Sequence, residues 1–204
     1  MDLAQKVNPA TTALLVIDIQ NDFFLPGGVI DRMGHDFQAL DAIIAPLQVV
    51  VDRARGVLPL VVWTKQTRYP HLRGPVVLEH YGRVGMLGEG APDALQFYRM
   101  TPAPGDVVLE KHKYSAFVGT ALDAMLRSNS ITTVVVTGVA ANVCVESTAR
   151  HAFMLDYHVV VPSDLVAGVS EELKASTLLN IDTFFGQVVT STELLAAWDA
   201  AGLR

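Results

Sequence analysis

Two spacings of apolar residues alternate along the chain. Ala13-Leu14-Leu15-Val16-Ile17 and Val57 to Trp63 are apolar runs without polar alternation, the pattern of strands buried on both faces of a parallel sheet. Between them Ile44, Leu47, Val50, Val51 and Ala54 recur at helical spacing from about Ile44 to Arg55. Pro46 suits the first turn of that helix, where a missing N–H is harmless, and Gly56 is its expected stop. A third strand over Asp106 to Glu110 leads into Lys111. Ile131 to Thr137 is β-branched at each of its seven positions and is the strongest strand, closed by Gly138. His158 to Val161 and Gln187 to Thr190 make the fifth and sixth strands.

The helices between them carry their own marks. Thr120 to Asp123 has the spacing of a capping-box variant ahead of Leu122, Met125 and Leu126. A helix opening at Cys144 sets Val145, Ala149, Ala152 and Phe153 on its inner face, and another covers Glu171 to Thr183. Thr190-Ser191-Thr192-Glu193 is a capping box for a last helix reaching about Ala200.

This order predicts one α/β unit over residues 1–204: a doubly wound, mostly parallel six-stranded sheet with helices on both faces, Rossmann-like in plan. Right-handed crossovers then bring Asp18, Thr64, Lys111 and Gly138 to one edge of the sheet. Residues 66–105 interrupt the alternation with Tyr69-Pro70, Arg73-Gly74-Pro75, Gly82, Gly85, Gly88, Gly90 and Pro92, and a short helix near Pro92 to Tyr98 is expected within them. An excursion of that length points to a substrate wall or lid, with an ordinary surface insertion as the alternative.

Composition narrows the function. Half of the 204 residues are hydrophobic and 18% are charged, as in a globular enzyme. The formal charge of −6, without a cluster of Lys and Arg, gives no footprint for nucleic acid, so a small molecule is the expected partner. Apolar runs stay far below the ~20 residues of a membrane span, and the first ten residues lack the pattern of a signal peptide. No membrane partner and a cytoplasmic location are therefore expected. The six histidines show no metal-ligand spacing. A lone cysteine cannot form an intramolecular disulfide, and composition by itself favours a buried, inert thiol.

Topology changes that reading. Asp18 follows the first strand, Lys111 the third, and Cys144 stands in the first turn after the fourth. Asp18 could instead cap the next turn, and Lys111 shares its strand end with Lys113. A thiol at a helix N-terminus beside an ammonium has its pKa lowered, and the thiolate is the nucleophile. Free N–H groups of the same turn can receive an oxyanion. Together these suit acyl transfer.

Three motifs carry a family resemblance over nearly the whole chain: Asp-x-Gln-Asn-Asp-Phe from Asp18 to Phe23, Lys-x-x-Tyr-Ser-Ala-Phe from Lys111 to Phe117, and Thr-Gly-Val-Ala-Ala-Asn-Val-Cys-Val-Glu-Ser-Thr-Ala from Thr137 to Ala149. In these the chain resembles the isochorismatase-like cysteine hydrolases. The resemblance implies Cys144 as nucleophile, Asp18 as general base and Lys111, rather than Lys113, as the orienting cation. It also implies a cis peptide between Val139 and Ala140 and an oxyanion hole from the N–H groups of Ala140 and Cys144. Phe23, Gln66, Tyr114 and Asn142 are candidate substrate contacts. No cofactor and no metal are implied, and a homo-oligomer, dimer or tetramer, is expected.

Where nicotinamidases carry an Asp-x-His metal motif after the second strand, this chain has Trp63-Thr64-Lys65-Gln66-Thr67. Vinyl-ether-cleaving isochorismatases lack the cysteine. The nearest likeness is to the ureidoacrylate amidohydrolase and biuret hydrolase branch, through Asn142 to Arg150 and Asn180 to Gly186. The implied activity is a cysteine-dependent amidohydrolase acting on a small ureido or carbamoyl compound or a carboxamide through a thioester. Alternatives are a non-catalytic small-molecule-binding protein on the same fold, a nicotinamidase-type amidase, and a redox-sensing thiol protein, against which the absence of a resolving cysteine counts.

Overall fold

The computed structural model describes residues 1–67, 70–72, 74–81, 90–91 and 93–202. In chain order the strands are β1 (Thr12–Ile17), β2 (Leu60–Gln66), β3 (Val107–Lys111), β4 (Thr133–Val139), β5 (His158–Pro162), β6 (Val166–Ala167) and β7 (Gln187–Val189). The α-helices are α1 (Leu3–Lys6), α2 (Asn21–Phe24), α3 (Val29–Arg32), α4 (Ile44–Val57), α5 (Pro75–Tyr81), α6 (Leu122–Ser128), α7 (Glu146–Met154), α8 (Glu171–Asn180) and α9 (Ser191–Gly202).

The main path of the sheet runs β3-β2-β1-β4-β5-β7, and its pairings are parallel. Among the described residues the expected six strands become seven, because β6 pairs Val166 and Ala167 with Gly138 and Val139, beyond the reach of β5. A two-residue strand is too short to show a period. Alternate residues of β1 serve two cores. Leu14 and Val16 join the apolar side chains of α4 and α9, while Ala13, Leu15 and Ile17 join those of α6 and α7. Helices thus cover both faces. Since β1 leads one way to β2 and β4 begins the other half, the β1/β4 boundary is the topological switch point, where such sheets bind ligands.

Several boundaries move for local reasons. α4 continues through Gly56 to Val57, so Gly56 does not stop it, and β2 starts at Leu60 instead of Val57. The break comes at Leu58, whose backbone is extended (φ −98°, ψ 147°), as a residue before proline prefers. β4 starts at Thr133 and runs through Gly138, since the N–H of Thr132 goes to Thr11 and the Gly138–Val139 segment pairs with β6. α8 gives way at Ile181 to a π-turn over Ile181–Phe185, closed by the Gly186 N–H on the Ile181 carbonyl at 2.8 Å.

The capping box at Thr190 forms as expected, with Thr190 N–H on Glu193 at 2.7 Å and Glu193 N–H on the Thr190 hydroxyl at 3.2 Å. That at Thr120 does not: the N-cap of α6 is Ala121, and the Thr120 hydroxyl accepts from Leu122 N–H. Phe153, expected on the inner face of α7, is 47% exposed and meets Phe185 edge-on.

Of the excursion, residues 68, 69, 73, 82–89 and 92 lie outside the described residues, including Tyr69, Arg73, Gly82, Gly85, Gly88 and Pro92. α5 lies within it, and residues 93–98 form turns in place of the expected helix. Their backbone is committed elsewhere: Asn21 N–H bonds Gln96, Asp22 N–H bonds Ala94, Tyr98 N–H bonds Ile19, and Gln20 and Phe97 form an antiparallel bridge. The end of the excursion is therefore laced onto the segment that follows β1. Among the described residues no helix is long and apolar enough to cross a membrane.

Candidate active site

The site is built where β1, β2, β3 and β4 end. The chain leaves β1 by turning at Asp18, whose φ of 52° lies in the left-handed region that Asp tolerates better than most residues. Gln20 N–H donates back to the Asp18 carbonyl at 2.8 Å, which turns the Asp18 carboxylate toward β2. There the Thr64 hydroxyl donates to Asp18 Oδ1 at 2.6 Å and accepts from Asp18 N–H at 3.1 Å. From β3, Lys111 brings its Nζ to 2.7 Å from Asp18 Oδ2, and both side chains are fully buried.

β4 passes close to β1 at Gly138, with φ 101°, where a Cβ would overlap the backbone of Ile17. The peptide between Val139 and Ala140 is cis, as the resemblance implies. Ala141–Val145 then form a π-turn ahead of α7. The Ala140 carbonyl accepts the N–H groups of both Val143 and Val145, at 3.0 and 3.2 Å. Cys144 thus sits within this widened turn, ahead of the regular first turn of α7, and is 3% exposed.

Lys111 Nζ is the hub. Besides Asp18 it faces Gln66 Oε1 at 2.8 Å, the carbonyls of Lys113 and Tyr114 at 3.1 and 3.2 Å, and Cys144 Sγ at 3.5 Å. Burial alone would lower the Lys111 pKa, but the charges of Asp18 and Cys144 and its bonds to them outweigh it, and the pKa is raised. Cys144 goes the other way from the expectation of a lowered pKa. Burial pushes its thiol up to about 12 against the pull of Lys111, and Asp18 adds to the rise through charge and hydrogen bonding. Helix-end and lysine effects are legible in a sequence; full burial of the sulfur is not.

Of the residues expected at the site, Asp18, Lys111 and Cys144 meet. Lys113 is exposed and lends only its carbonyl. Gln66, at the end of β2, turns its amide oxygen inward to Lys111 and to Cys144, the latter at 3.5 Å. Tyr114 reaches Lys111 through its carbonyl, and the residue is 37% exposed. The Asn142 side chain accepts from Val169 N–H at 3.2 Å, tying the turn that carries Cys144 to the segment after β6. Phe23 belongs to the core on the α4 side. Gln20 is not among the expected site residues, and Thr64 is expected only at the same edge of the sheet. Both are fully buried polar side chains, and Gln20 clamps Gln66 by accepting its N–H at 2.7 Å and donating to its carbonyl at 3.1 Å. The same Gln20 amide donates to Leu95 of the excursion at 3.2 Å. Gln20 lies inside the first motif, but its role depends on a partner 46 residues away. Among the described residues no three His, Cys, Asp or Glu side chains are grouped to hold a metal ion.

Residues 12–193 match the isochorismatase domain. The chain is 36% identical to a ureidoacrylate amidohydrolase RutB of Methylobacterium radiotolerans, over 89% of this chain and 77% of that protein. Among solved structures, a cysteine hydrolase from Pseudomonas syringae pv. phaseolicola superposes with a TM-score of 0.82 at 25% identity, over 96% of both chains. N-carbamoylsarcosine amidase from Thermoplasma acidophilum does so with a TM-score of 0.70 at 32% identity, over 88% of this chain and 96% of that one.

Proposed function

The chain belongs to the isochorismatase family, and from that premise we propose that it is a cysteine-dependent amidohydrolase of small ureido or carbamoyl compounds or carboxamides. It is a hydrolase of carbon–nitrogen bonds. The observation that supports the finer reading is the line from Asp18 through Lys111 to Cys144, with steps of 2.7 and 3.5 Å at the switch point of the sheet. The choice of ureido and carbamoyl substrates rests on the relatives named above, two of which act on such compounds by name.

In this reading Asp18 takes the thiol proton as Cys144 sulfur bonds to the carbonyl carbon, and the carbonyl π pair moves to oxygen. The N–H groups of Ala140 and Cys144 receive that oxyanion. On collapse the C–N bond breaks, the nitrogen takes the proton from Asp18, and ammonia or an amine leaves a thioester. Asp18 next accepts a proton from water, whose oxygen attacks the thioester, and the same proton returns to sulfur as the acid departs. One water is consumed for each C–N bond cleaved. Lys111 keeps its proton throughout and holds carboxylate and sulfur in register.

A panel of ureido compounds, carbamoyl amino acids and simple amides, assayed for released ammonia, tests the proposal. Activity on at least one carbamoyl compound is expected, with Cys144→Ala and Cys144→Ser reduced on the order of 10³-fold or more. Substantial turnover by either variant would refute the nucleophile. Silence across the panel, with a thiol inert to alkylation, would favour a binding protein.

A further inference from the structure

Gln66 is held in one amide orientation by its neighbours. An ammonium has only donors, so the atom 2.8 Å from Lys111 Nζ is necessarily the amide oxygen and not the nitrogen. That same oxygen faces Cys144 Sγ at 3.5 Å. An oxygen acceptor can bond a thiol, which has a hydrogen to give, but it repels a thiolate, which has none. The backbone of Gln66 cannot easily swing away, because Gln20 pins its N–H and its carbonyl at 2.7 and 3.1 Å.

We propose that Gln66 is a positioning residue that latches Cys144 in its protonated, resting form until substrate enters. The inference rests on the reading of Cys144 as the nucleophile. The latch acts twice on one equilibrium. Its oxygen is an acceptor for the thiol hydrogen alongside Asp18, and by engaging Lys111 it competes with the sulfur for the N–H groups of that ammonium. Asp18 from the end of β1 and Lys111 from β3 are the ionisable groups acting on the thiol; Gln66 is a neutral group that touches both Lys111 and the sulfur. Release would follow when a substrate carbonyl enters beside the sulfur and the thiol proton passes to Asp18.

The test is alkylation of Cys144 by neutral iodoacetamide without substrate, from pH 6 to 9, in the parent, Gln66→Met and Gln66→Glu. Met matches Gln in length and has no comparable acceptor; Glu keeps the acceptor at the same size. Loss of one such bond predicts roughly five- to tenfold faster alkylation of Gln66→Met across this range, with Gln66→Glu no faster than the parent. Gln66→Leu serves as a second apolar replacement, and thermal melting shows that each variant compared is folded. Unchanged or slower alkylation in both apolar variants overturns the latch. So does equal acceleration in Gln66→Met and Gln66→Glu, which would mean loosened packing. Because no substrate is present, the result is independent of the ammonia assay. A silent panel with the Gln66 pattern defeats the substrate reading alone, and an active parent without that pattern defeats the latch alone.

Discussion

The ion pair of Asp18 and Lys111 allows a direct test of how the site is held. Both side chains are fully buried at 2.7 Å, and Asp18 Oδ2 has no other donor among the described residues. Replacing Lys111 by Met keeps most of the volume but leaves a buried carboxylate without its cation, still holding the Thr64 hydroxyl at 2.6 Å on the other oxygen. Breaking a buried pair from one side is expected to remove about 3–5 kcal/mol of stability. For a chain of this size that lowers Tm by roughly 6–20 °C. Asp18→Asn is milder, about 1–3 kcal/mol, because Lys111 retains Gln66 and two backbone carbonyls. The double variant has no unpaired charge. Its loss should fall short of the sum of the singles by about 2–3 kcal/mol. Urea denaturation of the four proteins at pH 7 closes this cycle. Additivity within ~0.5 kcal/mol would show that the two charges do not hold each other, and the reasoning would fail.

Two further outcomes follow from the same site. Gly138→Ala forces a methyl into the Ile17 backbone at a residue with φ 101°, so a stability loss of at least about 3 kcal/mol is expected by urea denaturation; parent-like stability would show the close approach is dispensable. The buried Cys144 thiol is lifted from its ordinary 9.0 to about 12, so the folded chain keeps a proton that the unfolded chain loses. That stabilisation is complete below pH 9.0 and is lost as the pH rises toward about 12. Between pH 8 and 10.5 the parent should therefore lose stability relative to Cys144→Ala by up to about 1.4 kcal/mol per pH unit, and parallel curves would refute the lifted thiol.

How far the sequence reaches can be judged residue by residue. The unbroken run Ala13–Ile17 foretold a strand buried on both faces, and its alternate side chains do enter the two cores. The helix from Ile44 was equally plain, yet its end was misplaced. A glycine in a helix is tolerated at about 1 kcal/mol, whereas the residue before a proline is excluded from helical backbone by sterics, and Leu58 obeys the stronger rule. β6 was invisible because two residues have no pattern. The turns over 93–98 were invisible because their partners, residues 19–22, are distant in sequence. At the site, strand order brings Asp18, Cys144 and the strand end with Lys111 and Lys113 together, and the family resemblance selects Lys111. The Gln20 clamp on Gln66 was not legible, since amide pairing leaves no periodic trace.

The thiol pKa moves opposite to the direction that a helix end and a lysine imply, and the reason bears on how such a site works. A value of about 12 describes loss of the Cys144 proton to solvent, which would leave a buried net charge of −1 among Asp18, Lys111 and sulfur. In the proposed reaction the proton instead moves to Asp18. The set then passes from carboxylate, ammonium and thiol to carboxylic acid, ammonium and thiolate, and its net charge stays at zero. No new charge is taken out of water, so the burial that opposes deprotonation to solvent opposes this transfer far less. The Lys111 ammonium, with three hydrogens facing five acceptors, can shift one hydrogen from a backbone carbonyl to the sulfur as negative charge arrives there. Deep burial then keeps the resting thiol protonated without barring its activation, which requires the cation to lie within reach of carboxylate and sulfur at once.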